Sequence, residues 1–234
     1  MTTARNCLAV FATAFMFLAG CGGGGGGGDS GPQASSATFA FQSSFRAYTL
    51  AGSTTNYSIS GSCSGTATLT EAPAVTSTFE GVSGYSSTET ATINLSNCTP
   101  ASNATTSTTY FDGNFTPLGV STLGEEYAKF QTAPPALPAT IKVGDTAQFG
   151  SLIVYTDSTK TTVTGSRLLS YVVEADSVNS AIVNLISRDY DTANRLLSTQ
   201  QSRYRITTAG AFSPVSIDVQ YSTTSTVHIL FTPR

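Results

Sequence analysis

Residue types that most often move protons are scarce in this chain. Its one histidine, His228, lies in Val227-His228-Ile229-Leu230-Phe231, where alternation places it on a strand with Thr226 and Leu230 on the same face. A general base needs a nucleophile and an orienting acid close by; neither is evident around His228, and no G-x-S-x-G turn occurs. The close carboxylate pairs are Glu125-Glu126, Glu174 with Asp176, and Asp189 with Asp191. Glycoside hydrolysis needs two carboxylates about 5–9 Å apart across a cleft, usually with aromatic sugar platforms, and the chain has no tryptophan. Asp189 and Asp191 flank a turn, where polar residues are the default. The run Asp189 to Asn194 has part of the spacing of a calcium loop but lacks its glycine and distal glutamate. No catalytic residue, metal ligand or cofactor site is therefore assigned. Arg203-Tyr204-Arg205 alternates, so Arg203 and Arg205 share one face; it is either a solvated sheet face or a surface for an anionic glycan or lipid headgroup.

The elements that must position these residues read as strands. Tyr57, Ile59, Gly61 and Cys63 share a face, continued by Ala67 and Leu69, and Ala91, Ile93 and Leu95 alternate with polar residues. A period of two marks a half-buried strand. Phe39 and Phe41 show the same spacing. The stretch from Thr99 to Thr109 is rich in Ser, Thr and Asn and reads as a surface loop, and Asp112-Gly113 between aromatic residues is a hairpin signal. Thr132 to Pro138 carries three prolines and cannot join a central strand, so it divides the folded part. Beyond it, strands are expected at Gln148–Thr156, Leu168–Glu174, Ala181–Arg188, Arg195–Thr207, Val215–Tyr221 and Thr226–Phe231. The expected fold class is all-β: antiparallel meanders forming a sandwich or an open barrel, in one unit or two halves.

Composition narrows the partners. Charged residues make up 11% and the net charge is −3, against about a quarter charged for an ordinary soluble domain. Ser and Thr, roughly three residues in ten, take over the polar face, as in many exported β-proteins. No basic cluster exists, so the electrostatic footprint for nucleic acid is missing.

The N-terminus has the plan of an export signal. Arg5 and the α-amine precede an apolar run from Leu8 to Leu18, about half of the roughly 20 residues a membrane span needs. Leu18-Ala19-Gly20-Cys21 follows, then seven glycines from Gly22 to Gly28. A phosphate-binding glycine loop would need a preceding strand and a following helix, so this run reads as a tether. Leu18-Ala19-Gly20-Cys21 resembles the lipobox of bacterial lipoproteins, the signal peptidase II class. That resemblance implies cleavage before Cys21, lipid on its thiol and acylation of its new amine, giving a durable multi-chain anchor. Gly22, where inner-membrane lipoproteins of the class tend to carry Asp, implies the outer membrane of a Gram-negative envelope. The implied organisation is a signal peptide (1–20), a lipidated cysteine with a tether (21–37) of roughly 20–24 Å root-mean-square reach, an N-terminal β half (38–133), a proline-rich boundary (134–138) and a C-terminal β half (139–234).

Cys7 then leaves with the leader and Cys21 carries lipid, so Cys63 and Cys98 remain for one bridge in an oxidising compartment. Together these readings predict a membrane-anchored envelope lipoprotein, a non-catalytic binding or structural β module. Its expected partners are the membrane, through the N-terminal lipid, and an envelope glycan, lipid or protein. The alternatives are an envelope hydrolase acting on glycan or peptide, and an assembly partner of an outer-membrane complex.

Overall fold

A computed structural model describes residues 34–222 and 227–234; the leader, the lipobox, Cys21 and most of the glycine-rich tether lie outside the described residues. Among the described residues the chain is an antiparallel β-barrel with one helix. The strands are β1 (Ser53–Gly61), β2 (Gly65–Glu71), β3 (Val75–Phe79), β4 (Val82–Leu95), β5 (Ser102–Asp112), β6 (Pro117–Thr122), β7 (Glu126–Phe130), β8 (Thr146–Tyr155), β9 (Val163–Ser177), β10 (Ser180–Asp191), β11 (Leu196–Thr207), β12 (Phe212–Tyr221) and β13 (Val227–Pro233). Sequence neighbours pair throughout except β2 with β3, and two contacts close the ring: β1 with β13, and β2 with the second half of β4. β3 is the extra strand, paired to the first half of β4. The barrel is closed, which removes every edge but that of β3.

Alternation and register define an inside and an outside. In most strands one row holds the larger share of the buried apolar residues, among them Ile59, Leu69, Ile93, Phe111, Leu152, Val173, Val183, Ile217 and Phe231. The other row carries hydroxyls that bond across strands, such as Thr68 to Asn56 at 2.8 Å and Thr88 with Thr108 at 3.0 Å. Membrane-spanning barrels show the reverse, an apolar band outside and a polar lumen.

Twelve strands enclose more space than the eight whose side chains just fill a barrel. Helix α1 (Phe41–Ala51) fills part of the excess. Phe41, Phe45 and Tyr48, at helical spacing, turn inward against residues from opposite walls: Phe111, Tyr171, Tyr204 and Phe212, with ring centroids 5.7–6.2 Å apart. The helix stops at Gly52, whose φ of +66° and crowding against the Glu71 carbonyl oxygen, 2.6 Å from any added Cβ, leave room for glycine only. The Phe39–Phe41 alternation therefore does not make a strand. Phe39 forms an isolated bridge with Ile141, and the helix starts at Phe41.

Two other expectations change in detail. The Ser/Thr/Asn-rich stretch read as a surface loop is mostly β5, since Ser102 to Asp112 pairs along its length with β4; threonine side chains suit a pleated surface. The proline-rich stretch does lie outside the strands, yet the sheet runs across it, because β7 pairs with β8. The two halves are two arcs of one barrel. Cys63 and Cys98 are bonded, with Cα atoms 5.7 Å apart, joining the β1–β2 turn to the β4–β5 turn at the end opposite the helix.

Candidate functional site in the barrel interior

Inward-facing polar residues form a belt across the barrel. Register sets Glu71, Glu89, Ser107, Thr122 and Glu126 side by side on β2, β4, β5, β6 and β7. Ser107 and Thr122 share a 2.8 Å hydrogen bond. Glu126 then takes a bidentate fork from Arg167 on β9, both contacts 2.9 Å. The Arg167 Nε donates to Asp189 on β10 at 2.7 Å, and Ser198 on β11 donates to the other Asp189 oxygen at 3.2 Å. Burial works against the Arg167 charge, but Asp189 and Glu126 more than restore it, so the guanidinium stays protonated. A satisfied fork of this kind fixes geometry more than it stabilises.

At the other end of the belt, among the described residues, no cation pairs with the carboxylates. Glu71 and Glu89 are direct cross-strand partners, which sets their Cβ atoms about 4.5–5.5 Å apart. Burial first, and then the neighbouring Glu71, push the Glu89 carboxyl up to about 7. Burial raises Glu71 as well, against a 3.3 Å hydrogen bond from Ser87. Tyr48 reaches down from α1 to Ser53 at 3.0 Å, and burial lifts its hydroxyl to about 12. The group is thus an acid pair beside a phenol that stays protonated, able to hold a proton near neutral pH.

Beside this belt, below the helix, lies a cavity of about 200 Å³. Phe41 and Phe45 form its ceiling, and Leu169, Leu185 and Tyr204 its apolar walls. Ser187 and Gln200 line it too and are direct partners across β10 and β11. The Gln200 Nε2 donates to Ser202 Oγ at 2.8 Å, but Gln200 Oε1 and Ser187 Oγ are buried with no hydrogen-bond partner. Buried polar atoms are nearly always paired, so this pair marks the cavity as unfinished.

The residues singled out from sequence fall elsewhere. His228 lies on the outer face, its Nε2 3.1 Å from Asp218. Arg203 and Arg205 also face outward, each already on a carboxylate: Arg203 Nε donates to Glu174 at 3.1 Å and Arg205 Nε to Asp176 at 2.7 Å. Asp191 closes the β10–β11 turn, accepting from the Ala193 and Arg195 amides. Of the expected carboxylate pairs, Glu126 and Asp189 do enter one cluster, but with each other rather than with their sequence neighbours. Glu71 with Glu89, and Ser187 with Gln200, were not marked by sequence. Their only signal is a polar residue on an inward-facing position, which needs register to be visible.

No family model, curated protein or solved structure matches this chain.

Proposed function

We propose that the protein is a lipid-anchored, non-catalytic binding module of the bacterial envelope whose ligand site is the barrel interior. The anchor rests on the leader and on Leu18-Ala19-Gly20-Cys21, with the outer membrane as its address. The binding reading rests on one observation: an apolar cavity inside a closed barrel, two of whose lining residues, Ser187 and Gln200, carry buried polar atoms with no hydrogen-bond partner. Ligand sites are concave, mostly apolar and oriented by a few polar groups, and barrel interiors are a common place for them. The hydroxyl-rich outer wall fits a barrel held beside the membrane rather than in it.

Intact mass and fractionation test the anchor. The mature chain is expected to start at Cys21, carry a three-chain lipid and gain two mass units on reduction, and Cys21→Ser is expected to move the protein from membranes to the soluble fraction. A Cys21→Ser protein that stays membrane-bound would refute the anchor. The hydrolase reading draws on a single feature, the Glu71–Glu89 pair. It predicts that the protein releases soluble sugars or peptides from purified envelope material and that Glu89→Gln abolishes the release; the binding module releases nothing.

A further inference from the structure

We infer that the cavity under α1 takes a compact, neutral, apolar molecule carrying one hydroxyl group, bound between Ser187 and Gln200. The inference rests on the interior-site reading above and names the ligand class. Size comes first: an apolar cavity of about 150 Å³ holds one benzene ring, so about 200 Å³ suits a single ring or a short branched chain. The walls fix the body of the ligand. Phe41, Phe45, Leu169 and Leu185 offer carbon surface and no charge.

The polar end follows from hydrogen-bond inventory. Gln200 gives one N–H of its NH₂ to Ser202 and keeps a bare carbonyl oxygen, which only a donor can satisfy. Ser187 has an unused hydroxyl able to donate and accept. The two stand directly opposite each other on β10 and β11. A ligand hydroxyl fits both: it donates to Gln200 Oε1 and accepts from Ser187 Oγ. A carboxylate has no hydrogen for Gln200, and it would enter an interior whose belt already carries four carboxylates (Glu71, Glu89, Glu126, Asp189) to one arginine. An alkane would fill the walls and leave both polar atoms unmet, which costs about 1–3 kcal/mol for each buried group.

Three single-ring probes separate the cases on the full exported protein: phenol, its isostere toluene, and the larger anion benzoate, titrated by calorimetry. Phenol is expected to bind at least about tenfold tighter than toluene, with benzoate weakest. Ser187→Ala with Gln200→Leu is expected to erase the phenol preference while toluene still binds. Leu185→Trp, which fills the space, is expected to abolish binding of both, with far-UV circular dichroism confirming that each variant is folded. The inference is overturned if folded wild type binds none of the probes, the result expected if the cavity holds ordered water only. It is equally overturned if the double variant keeps the phenol preference. Binding in a protein without lipid would leave this site standing and remove the anchor; a lipidated protein that ignores all three probes would do the opposite.

Discussion

Two arcs of the same barrel wall are filled in opposite ways. In the arc made by β12, β13, β1, β2 and the second half of β4, the inward row beyond Glu71 and Glu89 is apolar: Tyr57, Ile59, Ala67, Leu69, Ala91, Ile93, Ile217, Val219, Ile229 and Phe231 pack as one buried cluster. The disulfide closes that arc at its far end. In the arc made by β7 to β11, the inward row mixes Leu169 and Leu185 with Arg167, Ser187, Asp189, Ser198 and Gln200, and the space between is not filled. The first arc stabilises by excluding water. The second keeps ionic and hydrogen-bonding groups inside at a cost in burial, and there the cavity lies. Where a barrel forgoes dense packing, it has room for a ligand.

Several substitutions would break or sharpen that contrast. The largest effect is expected in the polar arc. Arg167→Leu leaves Glu126 and Asp189 buried without a cation and should cost about 3–5 kcal/mol in urea unfolding. Adding Glu126→Gln and Asp189→Asn should recover much of the loss, because no uncompensated charge then remains. A loss below about 1 kcal/mol for the single variant would show that water reaches the cluster.

In the apolar arc, the staple comes next. Replacing Cys63 and Cys98 together by Ala, a separation of 35 residues, should cost about 2–4 kcal/mol, most of it through the unfolded chain in the loop-entropy account. An unchanged unfolding midpoint would mean that the aliphatic cluster alone holds the arc together.

The seam between the arcs answers to pH. The barrel accommodates the protonated form of Glu89, whose carboxyl lies at about 7 when folded against an ordinary 4.5. That contribution is fully present below about pH 4.5 and is lost as pH rises through about 7. Between pH 5 and pH 8 the wild type should lose up to about 3 kcal/mol from this group, and Glu89→Gln should flatten the profile. Parallel profiles for the two proteins would place Glu89 in water.

Much of the fold was legible in the chain because strands write their period directly into the sequence. Tyr57-x-Ile59, Ala91-x-Ile93-x-Leu95 and Val227-x-Ile229-x-Phe231 each show which row faces inward, and Asp112-Gly113 and Asp157 to Lys160 mark turns where the chain does turn. Two signals were weaker. Phe41-x3-Phe45-x2-Tyr48 has helical spacing, but the helix is short, opens at Ala40 without a side-chain cap and is rich in residues with little helix preference. Thr105 to Thr109 looked like a loop because threonine repeated without alternation hides the period of two; the register with β4 reveals it.

The sequence by itself determined the all-β class and the antiparallel serial strands, since both depend on local periodicity. Tertiary structure alone decided that the strands close into a barrel, that a helix plugs it, and that Glu71 meets Glu89 while Ser187 meets Gln200. Those partners are 13 to 18 residues apart along the chain, and which residues face each other follows from strand register. A slip of one residue would turn every one of them to the outside.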